Sequence, residues 1–389
     1  MGVCNEMERT VLLFAVGDVH IDRVGDPQTP LALAAEVLNS SDILFGNNEG
    51  VYTDRPVTPP SAGIPVVSGL SNARGIEQVR FDVFNCANNH SVDGGHVGLL
   101  DNLEALRGRG IATVGTGADL AEARRPAIVE RNGTRIGFIA FASDYGAGYN
   151  ARATVPGLNP LRVHTHHCQA EGEHSLPGGA PRTLTFAYRE DVEFLQQAIA
   201  DLRRLVDVVV VSFHWGEGIQ PFVLMDYERD TARRAIDFGA DAVICHHHHT
   251  LRGVDFYRGQ PIFHGICHFV PDYPHIERDV PPEMMSAIAA AYGEYAIQVH
   301  ADYPLLPMHP NCRNTMIAAI RFVDGKIAEV GAVPCRINPK GQPHPVELET
   351  AEGRGWLGFF REVSEKSGMT AAVETGQIAG HDALIFQPA

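Results

Sequence analysis

Short apolar runs that stop abruptly at polar tips set the rhythm of this chain. Val11–Val16 is continuously apolar and ends in Gly17-Asp18-Val19-His20, the pattern of a strand buried on both faces. The form recurs at Ser41–Phe45, which gives way to Gly46-Asn47-Asn48-Glu49-Gly50. It recurs again at Phe81–Asn85, followed by Cys86-Ala87-Asn88-Asn89-His90 with Asp93, Gly94 and Gly95 behind. Val206–Phe213 is the strongest run and ends in His214-Trp215-Gly216-Glu217, and Ala242–Cys245 leads straight into His246-His247-His248-His249. Between these runs the spacing predicts helices over 30–38, 96–109, 189–205 and 225–238. Leu99, Leu100, Leu103 and Leu106 mark the second of them. Strands alternating with helices indicate an α/β fold, in which sites are built at the carboxyl ends of the strands.

Other stretches read differently. Ile111–Val114 is a further strand, and hairpins are expected around Asn132-Gly133, Arg258-Gly259 and Asp324-Gly325. An amphipathic helix is expected over 356–365. The Pro- and Gly-rich stretch 54–66 is an irregular connection, and 271–313 is irregular apart from an Ala-rich helix near 282–291. Residues 144–182 are rich in Gly, Pro and His, including His164, His166, His167 and His174. They read either as a lid-like cover over a site or as a surface insertion. No linker cuts the chain, so one domain over 1–335 is expected, with 336–389 as an extension whose helix packs on it.

Composition narrows the function. A net charge of −16 argues against nucleic-acid binding, because phosphates would be repelled. A small anionic substrate stays open if cations invert the local field. The seven scattered cysteines form no disulfide framework, and Cys86, Cys245 and Cys267 read as buried thiols. Val11–Val16 is too short to span a bilayer, and Glu6 stands where a myristoylation signal needs Ser or Thr. A cytoplasmic protein without membrane insertion is expected; nothing sets its oligomeric state.

The strand tips collect Asp18, His20, Glu49, Asn89, His90, His214, His247 and His249. Two carboxylates, an amide and several imidazoles suit a pair of divalent cations sharing one carboxylate. A purification tag belongs at a terminus, whereas this His run lies between a strand and a hairpin.

Gly17-Asp18-Val19-His20, Asn48-Glu49, Ala87-Asn88-Asn89-His90 with Asp93 and Gly95, His214-Trp215-Gly216 and His247-x-His249 resemble the CapA family over about 11–270. That family, the poly-γ-glutamate capsule biosynthesis proteins, is a branch of the calcineurin-like metallophosphoesterase superfamily. The resemblance implies a four-layer α-β-β-α sandwich with one or two divalent ions at the strand ends, Mn, Zn or Fe favoured and Ca permitted. It implies that Asp18, His20 and His249 hold one metal and Asn89, His214 and His247 the other. Glu49 would bridge them, and His90 would be an outer-shell acid. His246 and His248 would point away. Where family members usually read Tyr-Ser-Leu-Gly-Asn-Phe, this chain has His264-Gly265-Ile266-Cys267-His268-Phe269. His264 and His268 are therefore candidates for acid–base work beside His90 and Asp93, for extra ligation, or for core histidines bonded to backbone. Arg252 and Arg313 could clamp a substrate carboxylate or serve as surface ion-pair partners.

The expected function is a metal-dependent enzyme in which metal-activated water and His/Asp groups cleave amides of a peptide or poly-glutamate-like substrate. The alternative is a peptide Cα epimerase, in which pairs such as His90 with Asp93 move the proton. A phosphodiesterase and a non-catalytic binding scaffold remain as further readings.

Overall fold

The structure, a computed structural model, describes residues 8–23, 25, 29–169, 181–274, 276 and 280–389. Its centre is the Asp18 strand, Thr10–His20. On one side this strand pairs in parallel with the Glu49 strand, Ile43–Asn48, and beyond that lie Val83–Asn85 and Ala112–Val114, also parallel. On its other side the partner changes halfway. Thr10 to Ala15 pair antiparallel with Asn314–Val323, whereas Asp18 to His20 pair in parallel with His268–Pro271. Gly17 sits at the changeover, where an added Cβ would lie 1.8 Å from the Cys267 carbonyl oxygen. Only glycine permits that approach. It lets the Asp18 N–H donate to the same carbonyl at 3.0 Å. The register also shifts on both sides of Asp18, and such irregularities re-aim a side chain.

A second, six-stranded sheet carries Thr134–Ala142, Val208–His214, Ala242–His246 and Gln260–Phe263 in parallel succession. Ala127–Arg131 and Val254–Tyr257 are its antiparallel edges. Alternate residues of these strands serve different cores. Phe138, Ala140, Val208, Val210 and Ile244 share a core with the first sheet, and the Phe45 and Phe138 rings stack at 5.3 Å. Val209, Val211, Phe213, Val243 and Cys245 pack instead with Leu195, Ile199 and Leu202 of helix Arg189–Arg203 and with Ala232, Ala235 and Ile236 of helix Asp226–Asp237. Apolar cover on both faces is why these strands read as unbroken apolar runs, each buried Val or Ile contributing roughly 1.5–3 kcal/mol.

Two expectations change. The described residues of 144–182 are not irregular throughout: Val163–Gln169 pairs antiparallel with Pro181–Ala187, and Gly157–Leu158 pairs with Thr116–Gly117. His164 and His166 stack there on Tyr188 and Phe186, while His174 lies outside the described residues. Nor does the chain divide at 335. Strand Lys326–Ile337 runs through that point and pairs with Pro343–Pro345 and with His381–Gln387, which in turn pairs with Ala372–Ile378. The expected helix, Ala351–Lys366, is joined by these strands as part of the first sheet.

The six described cysteines are free thiols, and burial pushes Cys86 up to about 12. Among the described residues no helix is long and apolar enough to cross a membrane.

Candidate metal centre

Parallel pairing sets Asp18 directly between Asn47 and His268. The amides of the tips act as fasteners. Asn47 Nδ2 donates to Asp18 Oδ1 at 2.8 Å, and Asn88 Nδ2 donates to the Asn48 carbonyl at 2.8 Å. The Glu49 N–H donates to the Val19 carbonyl at 3.0 Å. These bonds tie the ends of neighbouring strands to one another and bring the carboxyls of Asp18 and Glu49 together, both buried. Burial, and then the neighbouring Glu49 charge, pushes the Asp18 carboxyl well above the usual carboxylate range, against hydrogen bonds from Asn47 and the His247 backbone. The Tyr273 hydroxyl donates to Glu49 Oε2 at 2.7 Å.

Four donor atoms from four elements converge on the other side of Glu49. Around His214 Nε2 lie Asn89 Oδ1 at 2.8 Å, His247 Nδ1 at 3.1 Å and Glu49 Oε1 at 3.7 Å. An imidazole nitrogen carries one proton at most, so it cannot satisfy these three neighbours together. Burial, and then the surrounding imidazoles, pushes His214 well below its ordinary value, toward the neutral form that ligates. Ligands at about 2.0–2.2 Å from one ion stand roughly 3–3.7 Å apart, which is the spacing of this set. His247 reaches it with a φ of +93°, a backbone state that β-carbon-bearing residues rarely adopt and that clusters at functional sites. Asp144 Oδ2 lies 3.1 Å from His247 Nε2. An acceptor there holds the proton on Nε2 and turns the Nδ1 lone pair toward the cluster.

Two overlapping groups have ligand atoms that all lie within 4.8 Å of one another: Glu49, His214 and His247, and Asp18, Glu49 and His268. Glu49 belongs to both. Asp18 Oδ2, Glu49 Oε1 and His268 Nδ1 are buried without a hydrogen-bond partner. Neither carboxylate forms an ion pair with arginine or lysine among the described residues. Each uncompensated buried charge costs several kcal/mol, so the donor set fits divalent cations.

The other candidates fall into place around this pair. His249 Nδ1 lies 2.9 Å from His268 Nε2 with the rings stacked, so His268 belongs to the donor cluster and not to a separate acid–base pair. His20 lies outside both groups, its ring stacked at 6.1 Å on Tyr52 and 5.9 Å on Tyr273. His90 Nδ1 bonds Asp93 Oδ2 at 2.7 Å. Asp93 is itself held by the Tyr149 hydroxyl and the Val66 N–H. Burial works against a proton on His90, but the Asp93 charge and hydrogen bond prevail and raise it above its ordinary value. His246 turns to the Val16 carbonyl, and His248 to Glu228.

Three candidates stand apart from this cluster. His264 is buried among Arg229, Asp255, Glu228 and His248, a different set of groups from the donors above. The carbon framework between residues 264 and 268 turns through the positive-φ Cys267, which separates the two imidazoles. Arg252 is buried, with its guanidinium donating to the carbonyls of Glu217, Gln220, Val223 and Thr250. Arg313 lies over the Tyr303 ring at 3.5 Å. Sequence reasoning missed Asn47, Asp144 and Tyr273; only Asn47, inside a polar tip, carried a signal.

Comparison with known proteins adds the following. Residues 12–273 match the family model described as bacterial capsule synthesis protein PGA_cap. The chain is 26% identical over 238 residues to the PGA biosynthesis protein CapA of Bacillus subtilis, covering 61% of this chain and 55% of that one. It is 32% identical over 209 residues to a "Probable polyglutamine synthesis accessory protein" of Mycobacterium tuberculosis, covering 53% and 49%. An uncharacterized protein of Sinorhizobium fredii is 24% identical over 383 residues, covering 84% and 82%. The match thus spans about half the length of the first two relatives.

Proposed function

Because this chain belongs to the PGA_cap family of bacterial capsule synthesis proteins, we propose that it is a divalent-metal-dependent enzyme that hydrolyses amide bonds of a peptide or poly-glutamate-type chain. The convergence of Asn89, His214, His247 and Glu49 on one point, with Glu49 shared by the Asp18 and His268 group, carries the reading. On this reading Asp18, Glu49 and His268 would hold one ion and Asn89, His214, His247 and Glu49 another. His249 stands beside His268. A nitrogen-rich donor set favours Mn, Zn or Fe over Ca. The paired sheets with helices on the outer face of the second support reading the fold as the four-layer α-β-β-α sandwich of the calcineurin-like metallophosphoesterases.

A divalent ion held there acts as a Lewis acid on a substrate carbonyl and eases the deprotonation of water. The protein's own residues do the rest. Asp144 fixes the tautomer of His247, and Tyr273 steadies Glu49. His90, oriented by Asp93, keeps a proton at the cavity wall for delivery to the leaving amine. The same oriented pair favours a second reading, in which His90 exchanges the proton of a peptide Cα without cleavage.

One experiment addresses both. Purified protein is analysed for metal by mass spectrometry and incubated with glutamyl peptides in heavy water. Bound metal with cleavage is the expected result, and Glu49→Ala should lose both. Deuterium uptake without cleavage moves the assignment to epimerisation. Metal and turnover unchanged in Glu49→Ala would end the reading.

A further inference from the structure

Beside the centre opens a cavity of about 470 Å³, within the range of small-ligand sites. Asn89, His90, His247 and His249 form its inner wall. Its outer wall includes Met284, Ile288 and Tyr292, which recur every four residues on helix Pro282–Tyr292. That spacing puts them on one face. The helix contributes no fully buried residue; Met284 packs against the small apolar cluster of Val66, Tyr273, Ile276 and Met308, four residues that line the same cavity. Ile64 and Met308 extend the same wall.

The charges point the same way. Asp144 and Glu217 are the charged side chains among the described lining residues, and both are acidic. Among the described lining residues there is no lysine or arginine. Arg252 donates to backbone carbonyls, and Arg313 lies over the Tyr303 ring. A run of glutamates would carry carboxylates past an apolar wall and two acidic groups, with no lysine or arginine among the described lining residues to receive them.

We propose that the cavity binds a peptide residue with a large apolar side chain, aliphatic or aromatic, packed against the Met284–Ile288–Tyr292 face. The adjoining amide then faces the donor cluster. Only this last point rests on the proposed function; the side-chain preference stands on the cavity wall alone. The chain would thus select its substrate by an apolar residue next to the reacting position, not by a polyglutamate backbone.

Isothermal titration tests it, using full-length protein as purified and acetylated hexapeptide amides of Gly and Ser that carry one Leu, Phe or Glu. The Leu and Phe peptides should bind about 10- to 100-fold more tightly than the Glu peptide, the gain expected from burying one large apolar side chain. Ile288→Glu and Tyr292→Glu should each abolish the preference while circular dichroism and metal content stay unchanged. Equal affinities, a preference for Glu, or no binding of Leu and Phe peptides at millimolar concentration would overturn the proposal. A Leu preference in protein that holds no metal would leave this inference standing and remove the metal reading. Bound metal with a Glu preference would do the reverse.

Discussion

Tyr273 shows how much a single side chain outside the donor set can govern. Its hydroxyl gives Glu49 Oε2 a hydrogen bond at 2.7 Å, and Glu49 is common to both donor groups. Losing such an outer partner costs roughly 10- to 100-fold in metal affinity. Tyr273→Phe should therefore weaken metal retention by that factor in a chelator competition while leaving the fold intact; unchanged retention would show that Glu49 needs no orientation. The carboxylates and imidazoles were legible in the sequence because each follows an apolar run, and a strand delivers what stands at its tip. Tyr273 was not, since it lies past the strand end in a stretch without periodicity. Asp144 was hidden by the segment that follows it. His264 and Arg252 lie apart from the donor cluster, and adjacency along the chain says nothing of which way a loop turns a side chain. The raised position of Glu228, pushed up to about 7 by burial, belongs to a buried polar group around His248 that periodicity could not reveal either.

At the scale of elements, the buried strands and most helices packed on them were read closely, although the helix expected over 30–38 is only Ala35–Asn39. The helix expected over 225–238 is Asp226–Asp237, and the one near 282–291 is Pro282–Tyr292. What escaped were the strand pairs Val163–Gln169 with Pro181–Ala187 and Ala372–Ile378 with His381–Gln387. Most residues of the first pair and of Ala372–Ile378 are exposed, so no buried apolar face marks them. Loops were harder still. Arg252 binds the carbonyls of Glu217, Gln220 and Val223 and so holds the loop that brings Glu217, Gly218 and Ile219 to the cavity. Arg252→Met keeps the bulk but strands those carbonyls, at about 1–3 kcal/mol for each that finds no other donor. Denaturant unfolding should show a loss of roughly 2–4 kcal/mol. A loss below about 0.5 kcal/mol, the scale of surface changes, would mean that the loop stands without the clamp.

For the whole molecule, the centre is a stability element as well as a chemical one. A chain of net charge −16 buries two carboxylates side by side, and neither pairs with an arginine or lysine among the described residues. Anything that binds the folded state alone adds stability by mass action, about 2.7 kcal/mol at a hundred times its dissociation constant. Dialysis against EDTA should lower the thermal midpoint, and Mn or Zn added back should restore it. A midpoint indifferent to both would mean that the carboxylates are stable unliganded.

The change of partner along the Asp18 strand reaches into biosynthesis. Thr10 pairs with Val323, so the ribosome must add about 300 residues after the strand emerges before its neighbour exists, roughly 15–60 s at about 5–20 residues per second. Throughout that interval one border of the nascent strand has no companion to cover it. The acidic tip is made long before the strands that enclose it.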